Sequence, residues 1–518
     1  MKNKADIFFV LILILVFVVV IAKYYFPEIY SNSLKPSQNQ FKMQLDYLEY
    51  KIAYYNEDNL IEPTNDGIAK SIPIINYHGI SENPYKSDVV VANFEDQMHA
   101  LKEAGYQTIT LNEFYAFMRG EQQLPDKSIL ITFDDGIKTS YYKTDPALKA
   151  LNYNAVMFII SKQALGEGSK YYLSLDEIKD MLGTGRWEVQ AHAKDSHELI
   201  VIDQSGRRGH FMSDKMWLDD QRRLESDEEF KARIYQELLD TRTEIEGKLN
   251  IKITSFAFPF GDFGHVSANY PGVEEYVVKT AKSIYPAGLF YQSWSNKGAS
   301  YNYPDPNEKM FKRITVMPEW SGKDLVDILK NTHNKELPFS DNFDYNKGWV
   351  KISGDLSIDK SIMALKPSLY SNSSSAFLDG SYLFKDYSFK AKIGQSSADT
   401  ISLVARFKDD SNYAVCDFGK KVVRIKQNHD GETTTLAETK YVLPSERLEL
   451  EIKVNNNDVE CRINGNVVVT SSGLNSELGN GGIGFKTWDL KTESHILLIE
   501  EVKVEKIWKN IFYYYWCV

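Results

Sequence analysis

The feature that most constrains this chain is a change of rhythm at Pro338. From Ser71 to about Leu337, short apolar runs alternate with stretches of helical periodicity. The runs fall at 72–77, 129–133, 155–160, 187–191, 254–258, 289–292 and 314–316. Between them, Asn93 is placed to cap a helix ending before Gly105, and Ser174 and Glu177 form a capping box. A long charged helix is expected over about 227–249. Apolar runs without polar alternation suit strands buried on both faces, as in a parallel sheet covered by helices. The expectation for 71–337 is therefore an α/β domain, a distorted β/α barrel. After Pro338, Leu448, Leu450, Ile452 and Val454 alternate with charged residues, and turn signals stand at Asn457-Asp458, Asn464-Gly465 and 479–484. That hairpin rhythm predicts an all-β jelly-roll sandwich over 338–507. Residues 508–518 are an aromatic tail, either a last packed strand or a sticky surface segment.

The N-terminus bears on location. Residues 7–22 are an unbroken apolar run, preceded by Lys2 and Lys4, with Asp6 weakening the charge signal. The run would span about 24 Å as a helix, and Tyr24, Tyr25 and Phe26 extend it to headgroup level. A cleaved signal peptide is the rival reading, but no A-x-A site follows the run. The favoured organisation is a cytoplasmic tip at 1–6, a transmembrane anchor at 7–26 and a stalk at 27–70. The chain would then be a single-pass protein of the cell membrane with its larger domains extracellular. Phe41, Leu45, Leu48 and Ile52 give the stalk one helical stripe, which 63–67 breaks.

At 518 residues the chain is too long for one core. Its net charge of −11 argues against a nucleic-acid partner. The three cysteines, Cys416, Cys461 and Cys517, form no CxxC, so a thiolate zinc site is not expected. Cys416 and Cys461 lie in strand-like runs, where a disulfide and two buried thiols are both open readings.

The chemistry-bearing residues follow two of the apolar runs. The run at 129–133 ends in Asp134-Asp135-Gly136, and the run at 187–191 ends in His192, with His197 five residues on. Asp-Asp-Gly alone is most often a turn. Two carboxylates and two imidazoles at strand ends suit a divalent-metal hydrolase: one Asp and both His as ligands, the other Asp as base.

These residues resemble the polysaccharide deacetylases of carbohydrate esterase family 4, the NodB-homology domain, over 71–337. Thr132-Phe133-Asp134-Asp135-Gly136 matches that family's first motif. The resemblance implies Asp134 as general base and Asp135, His192 and His197 as ligands of a divalent metal, with zinc favoured. The five-residue histidine spacing, and Ala257 where the family's third motif carries arginine, resemble the branch that deacetylates poly-N-acetylglucosamine. This leaves open what orients Asp134. In Pro259-Phe260-Gly261, the Phe260 N–H would help to stabilise the oxyanion. No Leu-x-His supplies the usual acid; residues 313–316 lie where it would stand. Tyr77-His78 resembles the branch's N-terminal motif, which makes His78 the implied acid, although a lone histidine is more often a core residue. His210 and His265 are expected at the surface or in an insertion. The stretch 199–224 reads as a loop insertion or a glycan grip, and Trp294 as a sugar platform or core.

The implied activity is metal-dependent N-deacetylation of an extracellular N-acetylhexosamine polymer, an exopolysaccharide like poly-N-acetylglucosamine. Peptidoglycan or a galactosamine polymer is the alternative substrate, and a non-catalytic glycan-binding or assembly protein the alternative class. The implied partners are the N-acetylated polysaccharide, the membrane through 7–26, and exopolysaccharide synthesis or export machinery. The sandwich resembles laminin-G or concanavalin-like modules, which makes carbohydrate binding a further expectation.

Overall fold

The computed structural model describes residues 67–507, apart from Lys86 and the segments 167–168, 293–299, 369–371, 445–447 and 489–494. The expected anchor, nearly all of the stalk, Trp294 and the aromatic tail lie outside the described residues. Among the described residues, no helix is long and apolar enough to cross a membrane.

Seven parallel strands close into a ring. They are β1 (Ile74–Tyr77), β2 (Ser128–Phe133), β3 (Ala155–Ile160), β4 (Trp187–Ala193), β5 (Ser255–Ala257), β6 (Gly288–Gln292) and β7 (Met310–Thr315). Each pairs with the next in sequence, and β1 closes the barrel by pairing with both β2 and β7. Closure follows from the residue pattern. Both faces of these strands are apolar, so neither tolerates water, and a ring gives one face an interior and the other a coat of helices.

The two faces separate cleanly. Ile75, Tyr77, Ile131, Phe133, Met157 and Ile159 pack outward against helices such as Val91–Glu103 and Asp227–Leu249. Ile74, Leu130, Val156, Phe158, Phe290 and Phe311 pack inward with the helix Leu111–Met118, which plugs the end where the strands begin. Thr110 and Glu113 form a capping box at its start, and Leu111 N–H donates to Glu188 at the head of β4. Further along the same inward faces the residues turn polar: Asn76, Thr132, Gln190, Gln292 and Arg313 are all buried. The barrel is oily at its base and hydrogen-bonded at its C-terminal end, the end at which the site is built.

One expected boundary is wrong. Asn93 does not cap its helix, which begins at Val91; its side chain donates to Pro318 O at 2.9 Å instead. A tertiary acceptor outweighs the local cap.

Beyond the barrel, two antiparallel sheets of seven and eight strands face each other across an apolar core. Asn464 and Gly465, φ 49° and 79°, make the two-residue turn expected between Asp458–Ile463 and Asn466–Ser471. The open reading of the cysteines resolves as a disulfide. Cys416 lies on Asn412–Gly419 in one sheet, Cys461 on Asp458–Ile463 in the other, and the bond links the sheets. The sandwich seats on the barrel through a Tyr303–Tyr382 stack at 4.5 Å and the Ser300 N–H bond to Asp379 at 3.1 Å. Burial raises the Asp379 pKa.

The bridge closes a loop of separation 45. Replacing both cysteines by alanine should lower the stability of the sandwich by about 2–4 kcal/mol, read as a reduced denaturant midpoint. An unchanged midpoint with and without reductant would contradict a structural role for the bond.

Candidate active site

Strand β2 delivers two adjacent carboxylates to different places because the chain turns sharply after Phe133. Asp135 and Gly136 both take positive φ, 72° and 78°. A Cβ on Gly136 would come within 3.1 Å of Ala164 Cβ and 3.2 Å of Ile159 Cγ2, so any other residue would strain the turn and crowd these neighbours. The turn leaves Asp134 buried in the barrel and brings Asp135 to the rim.

At the rim, Asp135 Oδ1 lies 3.3 Å from His192 Nε2 and 3.2 Å from His197 Nε2. The three ligand atoms lie within 4.8 Å of one another. His192 Nδ1 donates to Ala257 O at 2.7 Å, which turns the Nε2 lone pair to the site. Asp135 Oδ1 is buried and makes no hydrogen bond among the described residues. A buried carboxylate oxygen without a donor, facing two imidazoles, is the donor set a divalent cation satisfies. Burial would raise the Asp135 pKa, but His192 and His197 outweigh it and bring it far below the carboxylate range. Burial would lower the His197 pKa, but Asp135 outweighs it and raises it.

Asp134 is tied by a group that sequence reasoning passed over. Arg313, fully buried on β7, donates Nη1 to Asp134 Oδ1 at 2.6 Å and Nη2 to Oδ2 at 2.8 Å. Asn76 Nδ2 donates to the same Oδ2 at 3.1 Å, and Thr132 Oγ1 donates to Asn76 Oδ1. Burial pushes the Asp134 pKa up, but Arg313, His192 and His78 prevail and hold the carboxyl below its ordinary value. Arg313 occupies the segment in which the usual acid was sought. A charged residue inside an apolar strand was the signal, since it must face a buried partner.

His78, one residue past β1, places Nε2 3.9 Å from Asp134 Oδ2. Phe260 sits at φ 59°, a conformation rare for an aromatic residue, in the turn Pro259–Gly261. Its N–H is in the first turn of a short helix, where no intrahelical acceptor exists. Its ring is sandwiched between His197 at 4.9 Å and His210 at 5.0 Å. All six expected residues, Asp134, Asp135, His192, His197, His78 and Phe260, thus meet at one end of the barrel. Five of them line an open cleft of 540 Å³, with Asp134 buried beside His78.

His210 is not merely a surface residue. It belongs to the inserted hairpin Leu199–Val201 and Arg208–His210, and its Nδ1 meets Asp262 Oδ2 at 2.8 Å. That hydrogen bond raises the His210 pKa. The insertion therefore buttresses Phe260 from below. His265 stacks on Phe263 and lies 3.5 Å from Asp262.

Residues 121–272 match the polysaccharide deacetylase family model. The match covers the barrel from before β2 to beyond β5. A putative polysaccharide deacetylase of Bacillus subtilis is 30% identical over 148 residues, 29% of this chain and 51% of that protein. A poly-beta-1,6-N-acetyl-D-glucosamine N-deacetylase of Staphylococcus aureus is 34% identical over 117 residues, 22% of this chain and 40% of that protein. The chain thus spans about half, or less, of the length of the curated relatives it matches. A solved de-N-acetylase from Aggregatibacter actinomycetemcomitans is similar at a TM-score of 0.42 and 18% identity, over 49% of this chain and 98% of that one.

Two outcomes follow. Because a cation must displace the proton that Asp135 favours on His197, metal affinity should fall on acidification, beginning above the ordinary histidine pKa. Competition titrations against a chelator at several pH values measure this, and an affinity independent of pH would contradict it. Arg313→Met should strand a buried carboxylate and cost about 3–5 kcal/mol. The Asp134 pKa is depressed in the fold, so that contribution is present above the unfolded pKa and lost as pH falls through the folded one. Chemical denaturation of both proteins across that range reads the difference.

Proposed function

We propose that this domain removes N-acetyl groups from an N-acetylhexosamine polymer, an exopolysaccharide of the poly-N-acetylglucosamine type, releasing acetate. The observation that carries the reading is a buried Asp134 held by Arg313, next to a rim cluster of Asp135, His192 and His197 in which Asp135 Oδ1 has no hydrogen-bond partner among the described residues. The similarity to proteins named as poly-N-acetylglucosamine deacetylases supports the substrate class.

The three ligands would hold one divalent cation, zinc by their chemistry, which when bound polarises the acetamide carbonyl and acidifies water. Asp134 removes the proton from the attacking water. The Phe260 N–H donates to the oxygen of the tetrahedral carbon. His78 gives a proton to the departing sugar amine, because an amide anion does not leave in water.

The cell-membrane, extracellular reading rests on the apolar run at 7–22 behind Lys2 and Lys4, and on a disulfide that suits an oxidising compartment. Exopolysaccharide synthesis or export machinery is the proposed neighbour.

The sandwich is proposed to hold the polymer. The outer face of its seven-stranded sheet carries a 610 Å³ cleft with Tyr413, Asp417, Lys426, Lys486 and a half-exposed Trp488. Asp417 pairs with Lys426 at 2.8 Å, and Lys486 Nζ lies 3.9 Å from the Tyr413 ring centre. Aromatic faces beside fixed polar groups suit sugar rings.

Acetate release from poly-N-acetylglucosamine, peptidoglycan and a galactosamine polymer tests the activity, with the first expected as substrate. Asp134→Asn should retain metal and lose roughly 10²–10⁴-fold in turnover. Near-normal turnover in that variant would remove Asp134 from the mechanism, and no acetate from any polymer would end the reading. Trp488→Ala should weaken action on long polymer and spare short oligomers; equal loss on both would count against glycan binding by the sandwich.

A further inference from the structure

The imidazole of His78 has a second polar neighbour, and that neighbour is incompletely bonded. Gln292 ends β6, opposite Arg313 on β7, and is only 4% exposed. Its Nε2 lies 3.1 Å from His78 Nε2. Its other polar atom, Oε1, is buried and has no hydrogen-bond partner among the described residues. Leaving a buried acceptor unmade costs about 1–3 kcal/mol, so the position is not explained by stability alone.

A primary amide carries a donor and an acceptor at its two ends. A half-turn about its last bond exchanges them in nearly the same volume. Nε2 of a histidine acid also changes character. As imidazolium it donates and needs an acceptor; once the proton has left, it carries a lone pair and needs a donor. Gln292 can meet both needs from one position. In the orientation seen here the N–H end of the amide faces His78 Nε2, and the carbonyl end faces away from it.

We propose that Gln292 is the positioning residue of the acid. It keeps His78 Nε2 directed into the cleft beside Asp134 through both protonation states. In the charged state, Oε1 accepts from the imidazolium. When the C–N bond breaks, the Nε2 proton goes to the amine nitrogen, the bonding pair stays on that nitrogen, and the amide turns to donate to the emptied Nε2. The inference rests on the proposed deacetylase reading for the identity of the proton acceptor, but not for the pairing itself.

Other charged or titratable groups surround His78. Asp134 is at 3.9 Å with Arg313 behind it, the Asp88 carboxylate packs on Gly79, and Asp135, His197, Tyr171 and Tyr172 share the cleft. Among the described residues, Gln292 is the group within hydrogen-bonding reach of Nε2.

Gln292→Met removes donor and acceptor at similar volume, and Gln292→Glu keeps an acceptor and adds charge. Both should retain metal. Gln292→Met should lower kcat by about 10–100-fold, a fraction of the full general-acid effect, and leave KM nearly unchanged. Because the bond from the imidazolium to Oε1 is charge-assisted and stronger than the amide's bond to the neutral ring, the alkaline limb of the Gln292→Met kcat profile should move to lower pH, and that of Gln292→Glu to higher pH. In a His78→Ala background, Gln292→Met should cost nothing more. NMR titration of the His78 ring in the metal-free protein should show the same two opposite movements without substrate. A structural role would lower activity without moving either midpoint. Unmoved midpoints in both variants, or full turnover in Gln292→Met, would overturn the proposal. Moved NMR midpoints in a protein that releases no acetate would uphold the pairing and reject the deacetylase reading.

Discussion

Arg313 and Asp134 meet in the interior of the barrel, both essentially without solvent contact. At that depth neither charge survives without the other. The two-pronged contact fixes the Asp134 carboxylate in rotation as well as position, and it keeps the group ionised despite its burial. As the proposed base, Asp134 must be charged to accept a proton and must be still to accept it from one direction. Both requirements are met by one arginine on the strand neighbouring β1. Asn76 and Thr132 complete the lattice from β1 and β2, so three strands share the work of holding one carboxylate.

The rest of the barrel is arranged to make that lattice affordable. Its base is filled by Ile74, Leu130, Phe158, Phe290 and Phe311 and closed by the helix Leu111–Met118. Polar inward residues begin only where each strand nears its end. Rigid strands then bring Asp135, His192 and Gln292 to one rim with Asp134 buried beneath it, while the strained turn at Phe260 is supported by His210 of the hairpin, which bonds Asp262. The sandwich adds its own rigidity through the Cys416–Cys461 bond between sheets.

Much of this was legible in the sequence, for physical reasons. Two-faced apolar runs announce a covered parallel sheet, and the Asp134-Asp135 pair, by itself most often a turn, stands out once His192 and His197 follow a second strand. Ala155–Ile160 and Asp227–Leu249 fall where the pattern puts them. What was missed depends on contacts distant in sequence. Arg313 lies 179 residues from Asp134, and no local pattern links the two. Gln292 gave no signal, since one amide at the end of an apolar strand has no periodic signature. Asn93 looked like a cap because local sequence cannot reveal the Pro318 carbonyl. The disulfide required knowing that two strands face each other across the sandwich.

The most direct test is a metal titration of turnover. Metal-free protein is supplied with increments of a divalent ion, zinc first, and acetate release from N-acetylglucosamine oligomers is followed. The account predicts negligible release without metal and a linear rise that breaks at about one ion per chain, as a single three-ligand site requires. Full activity without metal, or tight binding of one ion at Asp135, His192 and His197 with no acetate released, would contradict it.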